Sequence, residues 1–161
     1  MPIDLRPEYA NENVGGTIWR GCKTDSIWTE SAPAAIRERL SAEISESKLF
    51  QKILNIEESP NDFHLKTNIH TFCGDTRRLA GMLRITTAGS SAINFVLERN
   101  GKIIFQRKYE KVITNFDPEY SNFQFASQKT GRTHVMADSF RVLLKDFLPQ
   151  LQEAITESMK K

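Results

Sequence analysis

Two cysteines, three histidines and a few short polar clusters are the residues of this chain equipped for chemistry. Cys22 and Cys73 lie far apart, so the paired-thiolate knuckles that hold zinc are absent. Three readings stay open for them: buried thiols, a disulfide, or a reactive thiol. Cys22 would act as a nucleophile only with a base beside it in the fold, and its sequence neighbours supply none. His64 and His70 fall six positions apart on one side of an alternating stretch, about 20 Å along a strand at ~3.3 Å per residue. That is too far to share one ion, so no metal site is expected, even with His134 as a third member. Gly15-Gly16, Gly74, Gly81 and Gly89 lack the spacing and the following helix that cradle a phosphate. Ser90-Ser91 lacks the context of a nucleophile elbow. Asp75, Arg77 and Arg78 read as a charged turn at a strand end, and Glu57-Glu58 as a solvated pair. No cofactor and no catalytic constellation are expected. What remains is Asn115 to Thr130, a long ordered loop or a short edge strand and the candidate binding loop, where Tyr120, Phe123 and Phe125 stand among polar residues. The plain alternative is that these rings tuck over the end of the core.

The elements that position these groups follow from periodicity. Residues 1–14 hold Pro2, Pro7, Asn11 and Asn13 and read as an irregular N-terminal arm, with 15–161 as a single domain. Thr17 to Cys22 predicts a first strand. Ser31 followed by Pro33 is a helix-start signal, and Ile36, Leu40 and Ile44 form the apolar face of a helix from Pro33 to Leu49, with Arg37, Glu38, Arg39, Glu43 and Glu46 elsewhere. From Phe63 the period becomes two. Phe63, Leu65, Thr67, Ile69, Thr71 and Cys73 share one face of a half-buried strand. Ala80 to Thr87 and Ala92 to Glu98 predict two more strands, separated by a small-residue turn at Ala88-Gly89-Ser90-Ser91. A final helix from about Thr133 carries Phe140, Leu143, Leu144, Phe147, Leu151 and Ile155 on one face. Pro149 falls inside it and predicts a bend near Lys145 to Pro149.

Arg99-Asn100-Gly101-Lys102 is the sharpest turn signal. A three-residue loop with Gly101 left-handed places Phe95 opposite Phe105, Leu97 opposite Ile103 and Glu98 opposite Lys102. A two-residue loop places Phe95 opposite Gln106 and Glu98 opposite Ile103. Apolar matching favours the three-residue loop. The expected architecture is an α+β two-layer sandwich of order β-α-β-β-β-α, a mixed, mostly antiparallel sheet with two helices on one face.

Composition narrows the function classes. The chain has 161 residues, 39% hydrophobic and 26% charged, the ordinary range for one globular domain. Its net charge of +2 is the difference between 22 basic and 20 acidic residues spread along the chain, so no basic face advertises nucleic acid. The densest cationic stretch, Arg99 to Lys111, reads as the solvated side of a hairpin. No run approaches the ~20 apolar residues that span a bilayer. Residues 1–16 hold no apolar signal core, which is also how a chain begins once a targeting segment has been removed.

Leu40, Ile44, Ser47, Leu49-Phe50 and Ile53 resemble the helix end of small Gram-negative periplasmic lipoproteins, and Asp62 to Ile69 resembles the strand that follows it there. Ala80 to Glu98 with Ile103 to Tyr109 is similar to their strand pair, and Met136-Ala137, Phe140 and Leu144 to their last helix. The pattern is similar to auxiliary lipoproteins of ABC-type transport systems and to penicillin-binding-protein activator lipoproteins. One departure is plain: Trp19-Arg20-Gly21-Cys22 is no lipobox, so Cys22 is not the acylated residue. The resemblance implies a non-enzymatic outer-membrane-tethered accessory protein of the periplasm, an auxiliary subunit of a transport system. It would bind a partner protein or a lipid through an exposed sheet face or edge, and its membrane anchor would lie outside this sequence. It also implies an oxidising compartment in which Cys22 and Cys73 could join if the first strand and the strand from Phe63 are parallel neighbours. The alternative is an interaction module, such as an adaptor, chaperone or effector, without export and cytoplasmic. An enzyme would have to gather Asp75, Arg77 or His134 around the loop from Asn115 to Thr130.

Overall fold

The computed structural model describes residues 2–5, 12–14, 17–19, 31–50, 62–78, 85–117 and 128–160. Its elements run β1 (Ile3–Asp4), β2 (Glu12–Val14), β3 (Thr17–Trp19), α1 (Ala32–Glu46), β4 (His64–Arg78), β5 (Ile85–Arg99), β6 (Lys102–Thr114) and α2 (Gln128–Met159). A four-stranded sheet has the order β1-β4-β5-β6, with β1 parallel to β4 and the other pairs antiparallel. This is the expected α+β order β-α-β-β-β-α, with one relocation. The strand that enters the sheet before α1 is Ile3–Asp4, inside the segment expected to be irregular, and Leu5 N–H extends the pairing by donating to Ile69 O at 2.9 Å. Thr17–Trp19, expected as that first strand, instead pairs with β2 in a separate two-stranded ribbon.

In α1, Ile36, Leu40 and Ile44 are buried as their spacing requires. Ser31 accepts from Ala35 N–H through its backbone carbonyl, and its side chain makes no capping bond. The helix closes at Glu46, short of Leu49, because Lys48 takes a left-handed φ of 54° that no helix continues through. The α2 helix continues through Pro149. Both Lys145 and Pro149 are exposed, so the Lys145 carbonyl freed by the proline faces water.

Two β-bulges decide which residues reach the core. On β4 the register shifts between Ile69 and Thr71, so the face predicted from Phe63 to Cys73 holds only as far as Ile69. Beyond the bulge Phe72 takes the core side and meets Phe140 edge-on at 6.1 Å, while Thr71 and Cys73 turn to the opposite face. On β6 the tip is a two-residue turn, not the three-residue loop: Asn100 and Gly101 have φ of 52° and 69°, the two positive values that match a hairpin's twist. A register shift then sets Leu97 opposite Phe105 and Ile93 opposite Tyr109. Without that extra residue Gln106 and Lys108 would face the helices. With it Phe105, Tyr109 and Ile113 do.

The stretch Ala88-Gly89-Ser90-Ser91, read as a turn, lies inside a continuous β5. Its small side chains serve helix contact rather than chain reversal. A Cβ built on Gly89 would stand 2.1 Å from Val135 O, so α2 rests on bare backbone there. Further along, Phe95 stacks on Phe147 with centroids 3.9 Å apart and planes at 15°. Both helices bury their apolar faces in one cluster with Ile69, Phe72, Ile93, Phe95, Leu97 and Tyr109.

Candidate interaction edge

Side chains with chemical potential are largely spent on structure. Ser91 Oγ lies 2.6 Å from Ser139 Oγ, both fully buried, and Ser139 Oγ donates to Met136 O at 2.8 Å. The proton on that second bond makes Ser91 the donor of the first, so the pair pins β5 to α2 rather than forming a nucleophile. His134 stands 3.5 Å from the Asp138 carboxylate, which also takes Arg141 Nε at 3.1 Å. Asp75, Arg77 and Arg78 lie within β4, opposite Ala88, Thr86 and Ile85, and not in a turn after it. Among the described residues, no group of three His, Cys, Asp or Glu could hold a metal ion. Tyr120, Phe123, Phe125 and Cys22 lie outside the described residues. Cys73 is buried and disulfide-bonded.

The sheet ends in a strand whose backbone is not spent. Among the described residues β6 has a single partner, β5, and forms the margin of the sheet. Which of its groups face outward follows from the bonds at its C-terminal end. One step beyond the Ala88–Thr114 pair, Asn115 N–H donates to Thr87 O at 2.9 Å and Thr87 N–H donates to Asn115 Oδ1 at 2.9 Å. Amide and carbonyl direction alternates along a strand. Phe105, Arg107, Tyr109, Lys111 and Ile113 therefore bond to β5, and Gln106, Lys108, Glu110, Val112 and Thr114 present both backbone groups to the open side. Thr114 corroborates the phase: its N–H and Oγ1 both donate to Asp117 Oδ2, at 2.6 and 2.8 Å, and its carbonyl accepts from Asp117 N–H at 3.1 Å. Asp117 thus closes the end of the edge. Gln106 to Val112 is left open among the described residues, a span of seven with four outward-facing members.

Around this span the side chains divide by face. On the helix side, Arg107 Nη1 and the Tyr109 hydroxyl both donate to Gln150 Oε1, at 2.6 and 2.8 Å, and Lys111 Nζ pairs with Asp146 at 2.8 Å. Burial raises the Tyr109 pKa above its ordinary value of 10.0; Arg107 opposes the shift and Asp146 adds to it. The hydroxyl stays protonated and donating at neutral pH. These contacts brace β6 against α2. On the other side Gln106, Lys108 and Glu110 are exposed, Val112 keeps 43% of its surface, and Lys108 Nζ pairs with Glu110 at 2.5 Å. The edge is therefore braced against α2, lined by exposed side chains and unoccupied by the described chain. From the sequence this stretch reads as a hairpin's solvated side, with no sign of an open margin. The signal for that side is the alternation of Phe105, Tyr109 and Ile113 with Gln106, Lys108 and Glu110.

No family model matches the chain, and no curated protein matches it. Among solved structures it is similar to a Caulobacter crescentus CB15 protein predicted to be a lipoprotein, at 12% identity and a TM-score of 0.45, over 99% of this chain and 92% of that one. It is also similar to a hypothetical protein of Chlamydia trachomatis, at 11% identity and a TM-score of 0.45, over 96% of each chain. No helix among the described residues is long and apolar enough to cross a membrane.

Proposed function

We propose that this chain is a non-enzymatic binding protein of an oxidising, extracytoplasmic compartment, and that it engages a protein partner by strand addition along β6. The open backbone from Gln106 to Val112 carries this reading. Such an edge offers main-chain bonds to an incoming strand, and its braced conformation lowers the ordering cost of binding. A lipid would not use alternating N–H and C=O groups. The disulfide at Cys73 supports the compartment, since structural disulfides persist outside the reducing cytosol; we assign Cys22, the chain's other cysteine, as its partner. Within this reading the finer role is that of an envelope accessory subunit, such as an auxiliary component of a transport system. Cys73 argues against the unexported adaptor, chaperone or effector. A photo-crosslinking residue placed at Gln106 in intact cells tests the proposal, with the same probe at the exposed Glu153 of α2 as reference. Adducts at Gln106 and none at Glu153 are expected. Absence of adducts at Gln106, or equal labelling at both positions, would overturn it.

A further inference from the structure

We infer that the strand received by β6 is the β6 of a second copy of this chain, joined antiparallel across a two-fold axis through Tyr109. The inference rests on the strand-addition reading above and adds the identity of the occupant. Two observations select it. The open span from Gln106 to Val112 is centred on Tyr109, so an antiparallel copy centred there places Gln106 opposite Val112 and Lys108 opposite Glu110, reciprocally. Every outward residue is then matched, in four pairs that each exchange two backbone bonds.

Charge selects the same register. Lys108 and Glu110 already meet on the exposed face at 2.5 Å. The self-paired register sets each ammonium opposite the carboxylate of the other copy, making a closed cluster of two lysines and two glutamates. A shift of two residues one way places Lys108 opposite Lys108, and the other way Glu110 opposite Glu110. Both set like charges directly across a strand pair. The second shift also brings Gln106 against Thr114, whose backbone groups Asp117 already holds. On the helix side the register faces Arg107 with Lys111 of the second copy. Each Lys111 carries its own Asp146, which offsets that repulsion. Lysine on a sheet margin ordinarily deters edge pairing; here Glu110 two residues away converts the deterrent into a register mark.

A ribbon of this length buries little area beside a standard interface, so the dimer is concentration-dependent. Sedimentation equilibrium of the full chain over a range of loading concentrations, with Lys108→Glu, Glu110→Lys and the double exchange, tests it. Circular dichroism of each exposed-site variant confirms that the fold is kept. A reversible dimer is expected, weakened about tenfold by either single change and restored by the double exchange. A wild-type chain that stays monomeric, a dimer indifferent to the single changes, or a double exchange that fails to restore it would overturn the inference. If the wild type is monomeric while Gln106 still crosslinks to a different protein in cells, self-pairing falls and strand addition stands. If no adduct forms either, both fall.

Discussion

Ser91 on β5 and Gln106 on β6 are both polar residues in the same sheet, yet their polar groups have opposite fates. Beneath α2 the Ser91 hydroxyl is sealed at 0% exposure and spends its proton on Ser139. At the outer side of β6, the amides and carbonyls of Gln106, Lys108, Glu110 and Val112 meet no partner among the described residues, while the bonds on the strand's other side and the braces to Gln150 and Asp146 hold the strand in place. The contrast separates polar groups that hold the layers together from polar groups left available for recognition. Groups that interlock determine stability. Groups that are fixed in place but unbonded are free to recognise something else.

Substitutions can break this division, and the largest effects belong to the sealed layer. Gly89→Val should abolish cooperative unfolding in a thermal melt, because its Cβ alone would overlap the Val135 carbonyl at 2.1 Å and backbone cannot rotate aside. Next comes Phe147→Ala, which empties the stack on Phe95 and the contacts to Phe105 and Tyr109. A loss of about 3–5 kcal/mol is expected in urea titration. Ser139→Ala should cost about 1–3 kcal/mol, since it strands the buried Ser91 donor. Adding Ser91→Ala should return part of that loss, because both partners are then gone. At the edge the ranking inverts. Glu110→Pro removes an outward N–H that no described residue uses, so its melting curve should shift least of the four while crosslinking from Gln106 is lost. A large stability loss in Glu110→Pro would mean that the outward amide is already bonded.

Much of the layer was legible from spacing alone. Ile36, Leu40 and Ile44, and Phe140 through Ile155, declare two helices by period, and the alternation after Phe63 declares a strand. The errors share one cause: a bulge or a small residue serves a partner far away in the chain. Nothing local to Ile69-His70-Thr71 says that Phe72 must turn toward Phe140. Nothing near Ala88-Gly89-Ser90-Ser91 distinguishes a turn from a strand pressed by a helix more than forty residues on. The hairpin failed for the same reason, because matching Phe95 with Phe105 ignored the shift that brings Tyr109 into the layer. The open edge was harder still to read, since a margin is a property of strand order and not of any strand.

Amide hydrogen exchange along β6, followed by NMR at several protein concentrations, tests the open edge most directly. The amides of Arg107, Tyr109, Lys111 and Ile113 should be protected by β5 at every concentration, and that of Thr114 by Asp117. Those of Gln106, Lys108, Glu110 and Val112 should exchange rapidly in dilute solution and gain protection as copies pair. Uniform protection along β6 at the lowest concentration, or the opposite alternation, would show that the edge is already occupied or wrongly phased, and would contradict the assignment of this strand as the interaction surface.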